Sequence, residues 1–336
     1  PEAPQTLLLE HYRYHPKIIN LCNQRFYGGR LLIMTEDHGE PDVITAWRTA
    51  PGHHARGAFN PREIETIRRE MLPSLPCEPA EIGIISPYNE QVNALHRELG
   101  GGIDVATVHK FQGREKEAII LSTVDDQITA FTDDPNLLNV AVSRAKRQFT
   151  LVTSSNEQPD SRNIADLLAY IDYNGGKITE SAIHSVFDLL YEPYAEARRE
   201  FLKRHRRISE FDSENLTYAL LERVLEADPA FRHLGVLCHQ PLRQLIRDWT
   251  ILDDEERRYA LNGATHLDFL IYNRVSKRPV LAIETDGYQF HKQGTRQSER
   301  DRMKDRILDR YSLPLLRLST TGTDEEAKIH TLLKRN

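Results

Sequence analysis

Short apolar runs alternate with amphipathic segments through the first 157 residues, and this alternation limits the folds that the chain can adopt. Asn60 followed by Pro61 is typical of a helix start, because asparagine caps free N–H groups and proline fits the first helical position. Alternating strands and helices indicate a parallel sheet with helices on both faces. The pattern predicts helices at 62–72, 89–99 and 135–145, and strands at 81–86, 105–108, 118–124 and 149–153.

A different pattern follows a polar stretch that contains Pro159 and that we interpret as a boundary. Residues 164–207 have a mostly helical pattern, and a further α/β region begins near residue 209. We therefore predict three parts, at 1–157, 158–208 (a helical linker) and 209–336. The last part is predicted to hold helices at 214–227 (with Ser213 as a candidate cap) and 297–311, and strands at 234–238, 267–272, 280–284 and 313–318.

The composition is that of an ordinary globular protein, with 39% hydrophobic and 28% charged residues. No apolar run approaches the roughly 18–20 residues of a membrane span, and no signal-peptide pattern opens the chain, so we expect no membrane partner. Cys22, Cys77 and Cys238 are widely spaced, which indicates reduced thiols in a cytoplasmic protein rather than disulfides or a zinc site. The sequence begins at Pro1 inside an apparent motif, which we interpret as the start of a trimmed piece.

The net charge of −6 argues against a uniformly basic surface for nucleic acid. It leaves room for a local basic path, because phosphate contacts depend on the local field. One basic cluster lies in the predicted linker, where a helix could place it along a phosphate backbone or simply present it to solvent. The cluster consists of Arg198, Arg199, Lys203, Arg204, His205, Arg206 and Arg207.

Four polar segments occur in order in the first part of the chain. Three of them contain arginine. Its planar guanidinium group binds phosphate at two points and stays protonated, so it can stabilise a phosphoryl-transfer transition state. The phosphate loop Gly-x-x-x-x-Gly-Lys-[Ser/Thr] occurs nowhere, since Gly176 and Lys177 lack the following hydroxyl residue and the preceding glycine. The segments are 11–16 (HYRYHP), 86–91 (SPYNEQ), 107–115 (TVHKFQGRE) and 139–145 (NVAVSRA).

Together these segments resemble the second RecA-like domain of superfamily 1 helicases, in the Upf-like branch, over roughly residues 1–157. The resemblance implies that Arg13 and Arg144 reach the γ-phosphate of ATP held on a missing N-terminal RecA-like domain, and that Tyr12 stacks on the adenine. Because the phosphate loop is absent, we expect no ATP hydrolysis from this chain alone. The motif that links nucleotide to nucleic acid is represented by Gln112, Gly113 and Glu115, with Glu115 near the ribose.

The same resemblance implies a path for a single strand of nucleic acid. Pro87, Tyr88, Thr107 and His109 match the positions that contact this strand. Base stacking and backbone contacts would make such binding tolerant of sequence. The expected partner is DNA, single-stranded or as unwound duplex, with RNA as the alternative.

Carboxylates lie on two predicted strands of the last part. Asp268 lies within the apolar run 266–271, and Glu284 and Asp286 end a second run. Because side chains alternate along a strand, Glu284 and Asp286 share one face. If the two strands are neighbours, the three carboxylates converge, and carboxylate oxygens are the ligands that Mg²⁺ prefers. A metal ion held there would activate water for attack on a phosphodiester.

This arrangement resembles the PD-(D/E)xK nuclease superfamily, most closely its Vsr-like branch, over roughly residues 209–336. The resemblance implies a restriction-endonuclease-like α/β domain with a mixed sheet, and a Mg²⁺ (or Mn²⁺) ion bound by Asp268, Glu284 and Asp286. The superfamily has lysine where this chain has Asp286. Lys304, from the following helix, is the candidate replacement.

Other residues of the last part have candidate roles in the same chemistry. His291 is a candidate general acid or base, because histidine ordinarily titrates near neutral pH. Glu214 or Glu222 could support the metal through a water. A structural cluster remains the alternative, because buried carboxylates repel one another unless basic groups compensate them. The candidate partners for that alternative are Arg300, Lys304 and Arg317.

The two resemblances lead to one hypothesis, a C-terminal piece of a helicase–nuclease that cleaves DNA and is coupled to ATP-driven translocation in the full-length protein. By analogy, such fusions act in phage defence or DNA repair. The competing hypothesis is an inactive nuclease-fold module that binds nucleic acid or a partner for the helicase.

Overall fold

The computed structural model describes residues 9–286 and 296–335, and its compact units divide between Ile183 and His184. A six-stranded sheet with parallel pairing throughout forms the centre of the first unit, in the order β5-β4-β6-β7-β3-β8. A short parallel pair, β1 with β2, lies outside this sheet. The strands are β1 (Glu10–His11), β2 (Leu32–Ile33), β3 (Ile44–Thr49), β4 (Ile82–Ser86), β5 (Asp104–Thr107), β6 (Lys116–Ser122), β7 (Ala145–Ser154) and β8 (Ile178–Glu180).

Both faces of this sheet are covered, as the alternation along β6 shows. Ile119 and Leu121 belong to one apolar core, whereas Ala118 and Ile120 belong to the other. The first core packs α1, α5 and α6, and the second packs α2 and α4. Strands buried on both faces are typical of parallel sheets. The predicted α/β class is therefore confirmed. The helices are α1 (Pro16–Phe26), α2 (Pro61–Thr66), α3 (Leu72–Ser74), α4 (Asn89–Leu99), α5 (Pro135–Val142) and α6 (Asn163–Tyr173).

The helix predicted at 62–72 starts as expected but does not continue regularly. The Asn60 side chain accepts hydrogen bonds from the backbone N–H groups of Arg62 and Glu63. A π-helical turn at Ile67–Met71 then separates α2 from α3. The cap therefore agrees with the sequence, whereas the π turn carries no sequence signal that we recognised.

A mixed four-stranded sheet, in the order β12-β11-β10-β9, forms the centre of the second unit. Strands β9, β10 and β11 pair antiparallel, and β11 pairs with β12 in parallel. One face packs against α8 and α11, and the other packs against α9 and α10. The elements are α7 (Ala195–Arg204), α8 (Asp212–Ala227), α9 (Asp254–Leu261), α10 (Arg296–Arg310), α11 (Glu325–Arg335), β9 (Leu234–Pro241), β10 (His266–Asn273), β11 (Pro279–Asp286) and β12 (Leu315–Ser319).

Some details differ from the sequence predictions. Ser213 does not cap α8, because that helix begins one residue earlier, at Asp212. The predicted domain limits at 157 and 208 remain predictions. The predicted linker is shared between the compact units, with α6 and β8 in the first and α7 in the second. Among the described residues, no helix combines the length and apolar character that a membrane span requires.

Candidate functional sites

The predicted ATP-contacting residues lie where β6 and β7 begin. Glu115 directly precedes β6, and Arg144 directly precedes β7. The parallel register pairs Lys116 with Ala145, and the Lys116 N–H donates to the Arg144 carbonyl at 3.1 Å. Gln112 and Gly113 lie in the turn just before Glu115, and Gly113 has a φ of 82°, which favours glycine. Two predicted motifs that are far apart in sequence are therefore adjacent at this edge.

Glu115 also connects this edge to the first motif. Its Oε1 accepts hydrogen bonds from the Tyr14 hydroxyl at 2.7 Å and from Arg13 Nη1 at 3.0 Å. Burial and this hydrogen bond raise the pKa of Tyr14 to about 12. Burial alone would raise the pKa of Glu115, but the Tyr14 hydrogen bond and the Arg13 charge lower it below its ordinary value. Glu115 is therefore an ionised anchor for the first motif.

The two predicted arginines are held differently. The Arg13 side chain contacts Glu115 but remains 71% exposed. Arg144 donates from Nε to the Val140 carbonyl and from Nη2 to the Ser143 hydroxyl, which fixes it at the end of α5. Both arginine charges act to lower the pKa of Tyr14 against the effect of burial, so both lie near that ring. Tyr12, also predicted to contact ATP, is 62% exposed, and its hydroxyl donates to Glu10.

The predicted nucleic-acid contacts lie at the opposite edge of the sheet. Pro87 and Tyr88 follow the end of β4, Thr107 ends β5, and His109 follows two residues later. The register pairs Ser86 with Thr107, which places the two strand ends side by side. Thr107 is buried, whereas His109 is exposed. The structure thus groups the predicted nucleic-acid contacts away from the predicted ATP contacts.

Residues 108–115 connect these two edges, because β5 and β6 are parallel and lie on either side of β4. Phe111, in the middle of this crossing segment, is fully buried. A Cβ atom at Gly83 of β4 would lie 2.5 Å from Phe111 Cζ, so only glycine leaves room for that ring. The crossing segment is therefore packed against the strand that it passes.

A polar cleft of about 350 Å³ lies in the second unit beside β10 and β11. The antiparallel register pairs Phe269 with Ile283, which places Asp268 opposite Glu284. The Thr285 N–H donates to Asp268 Oδ2 at 2.8 Å, and burial raises the pKa of Asp268. The pairing of β10 with β11 meets the condition on which the predicted convergence of carboxylates depended. The cleft lining includes Glu214, Tyr259, His266, Asp268, Glu284, Asp286, Arg300 and Lys304.

Lys304 and Glu284 form a buried ion pair in this cleft, with Nζ 2.6 Å from Oε2. The same ammonium donates to the His266 carbonyl at 2.9 Å. Burial raises the pKa of Glu284 to about 7, although the Lys304 charge acts to lower it. Lys304, one of the three candidate basic partners, thus pairs with Glu284, and its role in the reaction stays a prediction.

Asp286 lines the same cleft, but its carboxylate contacts Arg317, with Oδ1 3.4 Å from Nη1. Arg317 also contacts Asp301 and Asp305. Within residues 9–286 and 296–335, only one group of three His, Cys, Asp or Glu residues has its ligand atoms within 4.8 Å of one another, namely His15, Asp37 and Glu40. The structure therefore brings Asp268 and Glu284 together without gathering all three predicted carboxylates at that distance.

The His15 group is not a convincing metal site. His15 Nδ1 accepts a hydrogen bond from the Lys17 N–H, so a neutral ring carries its proton on Nε2. That nitrogen lies 3.2 Å from Glu40 Oε2, as expected for a donor to a carboxylate. The Lys17 ammonium, 3.6 Å from Asp37, already supplies positive charge.

Of the two glutamates considered as metal supports, the structure brings Glu214 to the cleft. Its Oε2 lies 2.9 Å from His239 Nε2. Glu222 instead accepts a hydrogen bond from the Tyr218 hydroxyl at 2.8 Å. The predicted His291 lies outside the described residues.

The sequence analysis did not single out His266, which lines the cleft. It lies two residues before Asp268 on β10, so strand alternation puts both on one face and could have identified it. In the basic cluster of the predicted linker, Arg198 and His205 are half-buried and the other residues are exposed. Arg198 donates to the Leu190 carbonyl and contacts Asp212, and His205 Nδ1 lies 2.8 Å from the Phe201 carbonyl. Contact of this cluster with a phosphate backbone stays a prediction.

Two protein families match separate parts of the chain. Residues 2–156 match the family described as AAA domain, and residues 211–335 match the family described as "Protein of unknown function (DUF2726)".

The first curated relatives match 44% and 43% of this chain. They include the "Uncharacterized ATP-dependent helicase C05C10.2" of Caenorhabditis elegans, 32% identical over 44% of this chain and 11% of that protein. The "DNA replication ATP-dependent helicase/nuclease DNA2" of Gallus gallus is 32% identical over 43% of this chain and 16% of that protein. The chain thus spans a small fraction of these relatives. A solved C-terminal domain of a possible DNA helicase from Lactobacillus plantarum WCFS1 covers 50% of this chain and 99% of its own, with a TM-score of 0.35 and 16% identity.

Proposed function

We propose that this chain is part of a superfamily 1 helicase, and that its C-terminal region, which matches DUF2726, cleaves DNA with the help of a divalent metal ion. The observation that carries the proposal is the polar cleft in which Asp268 faces Glu284 beside the buried Lys304. Two acids on paired strands, with a lysine from helix α10 beside them, suit hydrolysis of a phosphodiester. In the full-length protein, ATP-driven translocation would bring the DNA strand to this cleft.

The residues of the cleft fit Mg²⁺ or Mn²⁺. Asp268 and Glu284 offer carboxylate oxygens, and Glu214 offers a third carboxylate on the cleft wall. Burial raises the pKa of Glu284 to about 7, so a bound cation would favour its ionised form over the protonated one. When bound, the metal would lower the pKa of a water and neutralise charge on the phosphate.

The chain's own side chains have separable tasks in this proposal. Lys304 lies close enough to Glu284 to supply the positive charge that the superfamily lysine would supply. Arg300 lines the cleft and is exposed, so it is available to bind a phosphate of the substrate. Asp286, bound to Arg317, would position β12 beside the cleft rather than contact the reacting atoms.

Cleavage assays of the 336-residue chain test the proposal. Single-stranded and duplex DNA, with RNA in parallel, would be incubated with Mg²⁺ or Mn²⁺ and with EDTA. We expect metal-dependent cutting of DNA that Asp268→Asn and Glu284→Gln each reduce to the EDTA level. Calorimetric titration with Mn²⁺ should show weakened metal binding in the same variants.

Glu222→Gln is the matched control, because Glu222 shares α8 with Glu214 but bonds to Tyr218 instead of lining the cleft. It should leave both cleavage and Mn²⁺ binding unchanged. Cutting that persists in both cleft variants would reject the assigned site.

A second candidate function is an inactive module that binds nucleic acid. The observation that favours it is that two of the predicted metal ligands already have basic partners, Glu284 with Lys304 and Asp286 with Arg317. Such pairs compensate buried charge without a metal. DNA binding without cutting, and no heat of Mn²⁺ binding, would support this candidate against the nuclease.

For the first unit, we propose that the edge holding Arg13, Glu115 and Arg144 contacts ATP bound to another RecA-like domain. The clustering of these residues around Tyr14 supports this proposal. The expected outcome for this chain alone is no ATP hydrolysis, measured as phosphate release with and without single-stranded DNA. DNA-stimulated turnover by the purified chain would contradict it.

A further inference from the structure

An aromatic pair lies at the edge of the first unit where the chain leaves β4. The ring centroids of Tyr88 and Phe131 are 5.4 Å apart, with an angle of 56° between the ring planes. Phe131 is 52% exposed, so much of its ring remains accessible beside its aromatic neighbour. The two rings come from different loops, so their contact is a tertiary feature of this edge.

A single carboxylate fixes both rings. Asp125 Oδ1 accepts a hydrogen bond from the Tyr88 hydroxyl at 2.9 Å. Its Oδ2 accepts from the hydroxyls of Thr129 at 2.8 Å and Thr132 at 2.6 Å. Phe131 lies between these threonines in the chain. Asp125 therefore orients both the loop that carries Phe131 and the Tyr88 ring that Phe131 contacts.

The backbone just before Asp125 is strained and held in place. Val124 has a φ of 72°, which is costly for a β-branched residue. Its N–H lies 3.0 Å from both carboxylate oxygens of the fully buried Glu63, which also accepts from the Ser122 hydroxyl. A strained turn fixed by a buried acid is typical of sites whose geometry matters for function.

Two nearby acids already accept hydrogen bonds at helix starts, where the N–H dipoles partly offset their negative charge. Asp133 accepts the backbone N–H groups of residues 162–164, at the start of α6, and Asp134 caps α5. Burial raises the pKa of Asp126, while the charges of His53 and Arg56 act to lower it, so basic side chains also lie at this edge.

We propose that Phe131 and Tyr88 form a stacking platform for an unpaired base of single-stranded nucleic acid. This inference rests on the proposed nucleic-acid path of the first unit and adds Phe131 to it. A half-exposed ring with fixed orientation presents a π-face to a base at little conformational cost, and every base can stack on it. The platform would therefore bind strands without sequence preference.

Fluorescence anisotropy with the 336-residue chain tests the platform. The probe is a labelled single-stranded DNA of mixed sequence, and EDTA prevents metal-dependent cutting during the measurement. Phe131→Ala should raise Kd about tenfold, within the range measured for loss of one stacked base. Phe131→Leu should weaken binding similarly, because leucine lacks a π-face, whereas Phe131→Trp should retain affinity.

Tyr173→Ala is the matched control, because Tyr173 is an 89% exposed aromatic at the far end of α6 from the turn that binds Asp133. It should leave Kd unchanged. A probe with abasic sites should bind the parent chain weakly and lose little further affinity in Phe131→Ala. Thermal unfolding of each variant checks that the fold is kept.

The outcomes separate this inference from the proposed path. Parent-like affinity in Phe131→Ala, together with weakened binding in Tyr88→Ala, would overturn the platform and leave the path standing. Absence of binding by the folded parent chain would overturn both. Neither outcome bears on the nuclease proposal for the second unit.

Discussion

Glu63 and Glu284 are buried carboxylates with different kinds of partner. Glu63 accepts hydrogen bonds from hydroxyl and backbone N–H donors, whereas Glu284 is paired with the Lys304 ammonium. Burial raises the pKa of Glu63 to about 8 and that of Glu284 to about 7. Ionising either carboxylate near neutral pH therefore lowers the stability of the unit that contains it. The size of this loss depends on the groups that contact the carboxylate.

Glu63→Gln should change how the stability of the first unit depends on pH. Because the folded-state pKa of Glu63 lies above the ordinary 4.5, its contribution is complete below pH 4.5 and is lost as pH rises through about 8. One pKa unit corresponds to roughly 1.4 kcal/mol, so the loss is on the order of a few kcal/mol. Urea unfolding at pH 5 and pH 9, in a Trp249→Phe background, would follow Trp47 of the first unit.

We expect the parent to lose more stability than Glu63→Gln between these two pH values. Glu90→Gln, an exposed acid of α4, should keep the pH dependence of the parent. Parallel pH curves for the parent and Glu63→Gln would contradict the expectation.

Lys304→Met should destabilise the second unit strongly above pH 7. It leaves the Glu284 charge buried without its partner, which typically costs about 3–5 kcal/mol. At pH 5 the cost should be smaller, because Glu284, whose pKa is about 7, is then protonated. Urea unfolding followed by Trp249, in a Trp47→Phe background, measures the change.

The double variant Lys304→Met with Glu284→Gln supplies the control, because it removes both charges. It should recover most of the lost stability at pH 8. A double variant as unstable as Lys304→Met alone would show that the lysine stem, rather than the ion pair, provides the stability.

At the scale of elements, the crossing segment 108–115 depends on its packing against β4. Gly83→Ala would place Cβ 2.5 Å from Phe111 Cζ and 2.7 Å from Ile119 Cδ1. Such overpacking should destabilise the first unit by roughly 1–3 kcal/mol and displace the segment that joins the two candidate sites. Urea unfolding followed by Trp47 measures the loss, and anisotropy shows whether strand binding weakens with it.

Gly101→Ala is the matched control for this glycine. No heavy atom lies within 4 Å of a Cβ built there, and its backbone is outside the left-handed region. Its stability should stay close to that of the parent. An equal loss in both variants would mean that backbone freedom, rather than the space beside Phe111, explains the effect.

Elements with a strong local pattern could be predicted from the sequence, and elements that depend on neighbours could not. Helix α4 has the predicted bounds, because an amphipathic repeat and three following glycines define it. Strand β8 has three residues and is held by pairing with β3, so its own sequence carries little signal. Strand β3 includes Arg48, and this charged residue hid its apolar character.

The candidate sites show the same division. The neighbouring positions of Asp268 and Glu284 followed from two adjacent apolar strands. Arg317 was among the candidate basic partners, but its contact with Asp286 in particular did not follow. Nothing in the sequence indicated that β12 pairs with β11 in a register that sets Arg317 opposite Glu284. Likewise, Phe131 gave no local signal, since its exposure and its contact with Tyr88 arise only in the folded unit.

At the scale of the whole molecule, the compact units extend beyond the two regions that match known families. Helix α6 contributes Ile164, Leu167 and Ile171 to a core of the first unit, although the family match ends at residue 156. Phe187 is fully buried in a core of the second unit, although the family match begins at residue 211. The segment predicted as a linker therefore completes both hydrophobic cores.

Truncation tests whether the folding units end at the predicted limits or between Ile183 and His184. A fragment of residues 1–183 should unfold cooperatively, whereas 1–157 should be much less stable because it lacks α6 and β8. Likewise, a fragment of residues 184–336 should fold. A fragment of residues 209–336 should be less stable because it lacks Phe187, and removing a buried phenylalanine typically costs about 3–5 kcal/mol. Circular dichroism and urea unfolding of the four fragments measure these differences. Equal stability of the short and long fragments would instead support the limits at 157 and 208, because the intervening residues would then add nothing to either core.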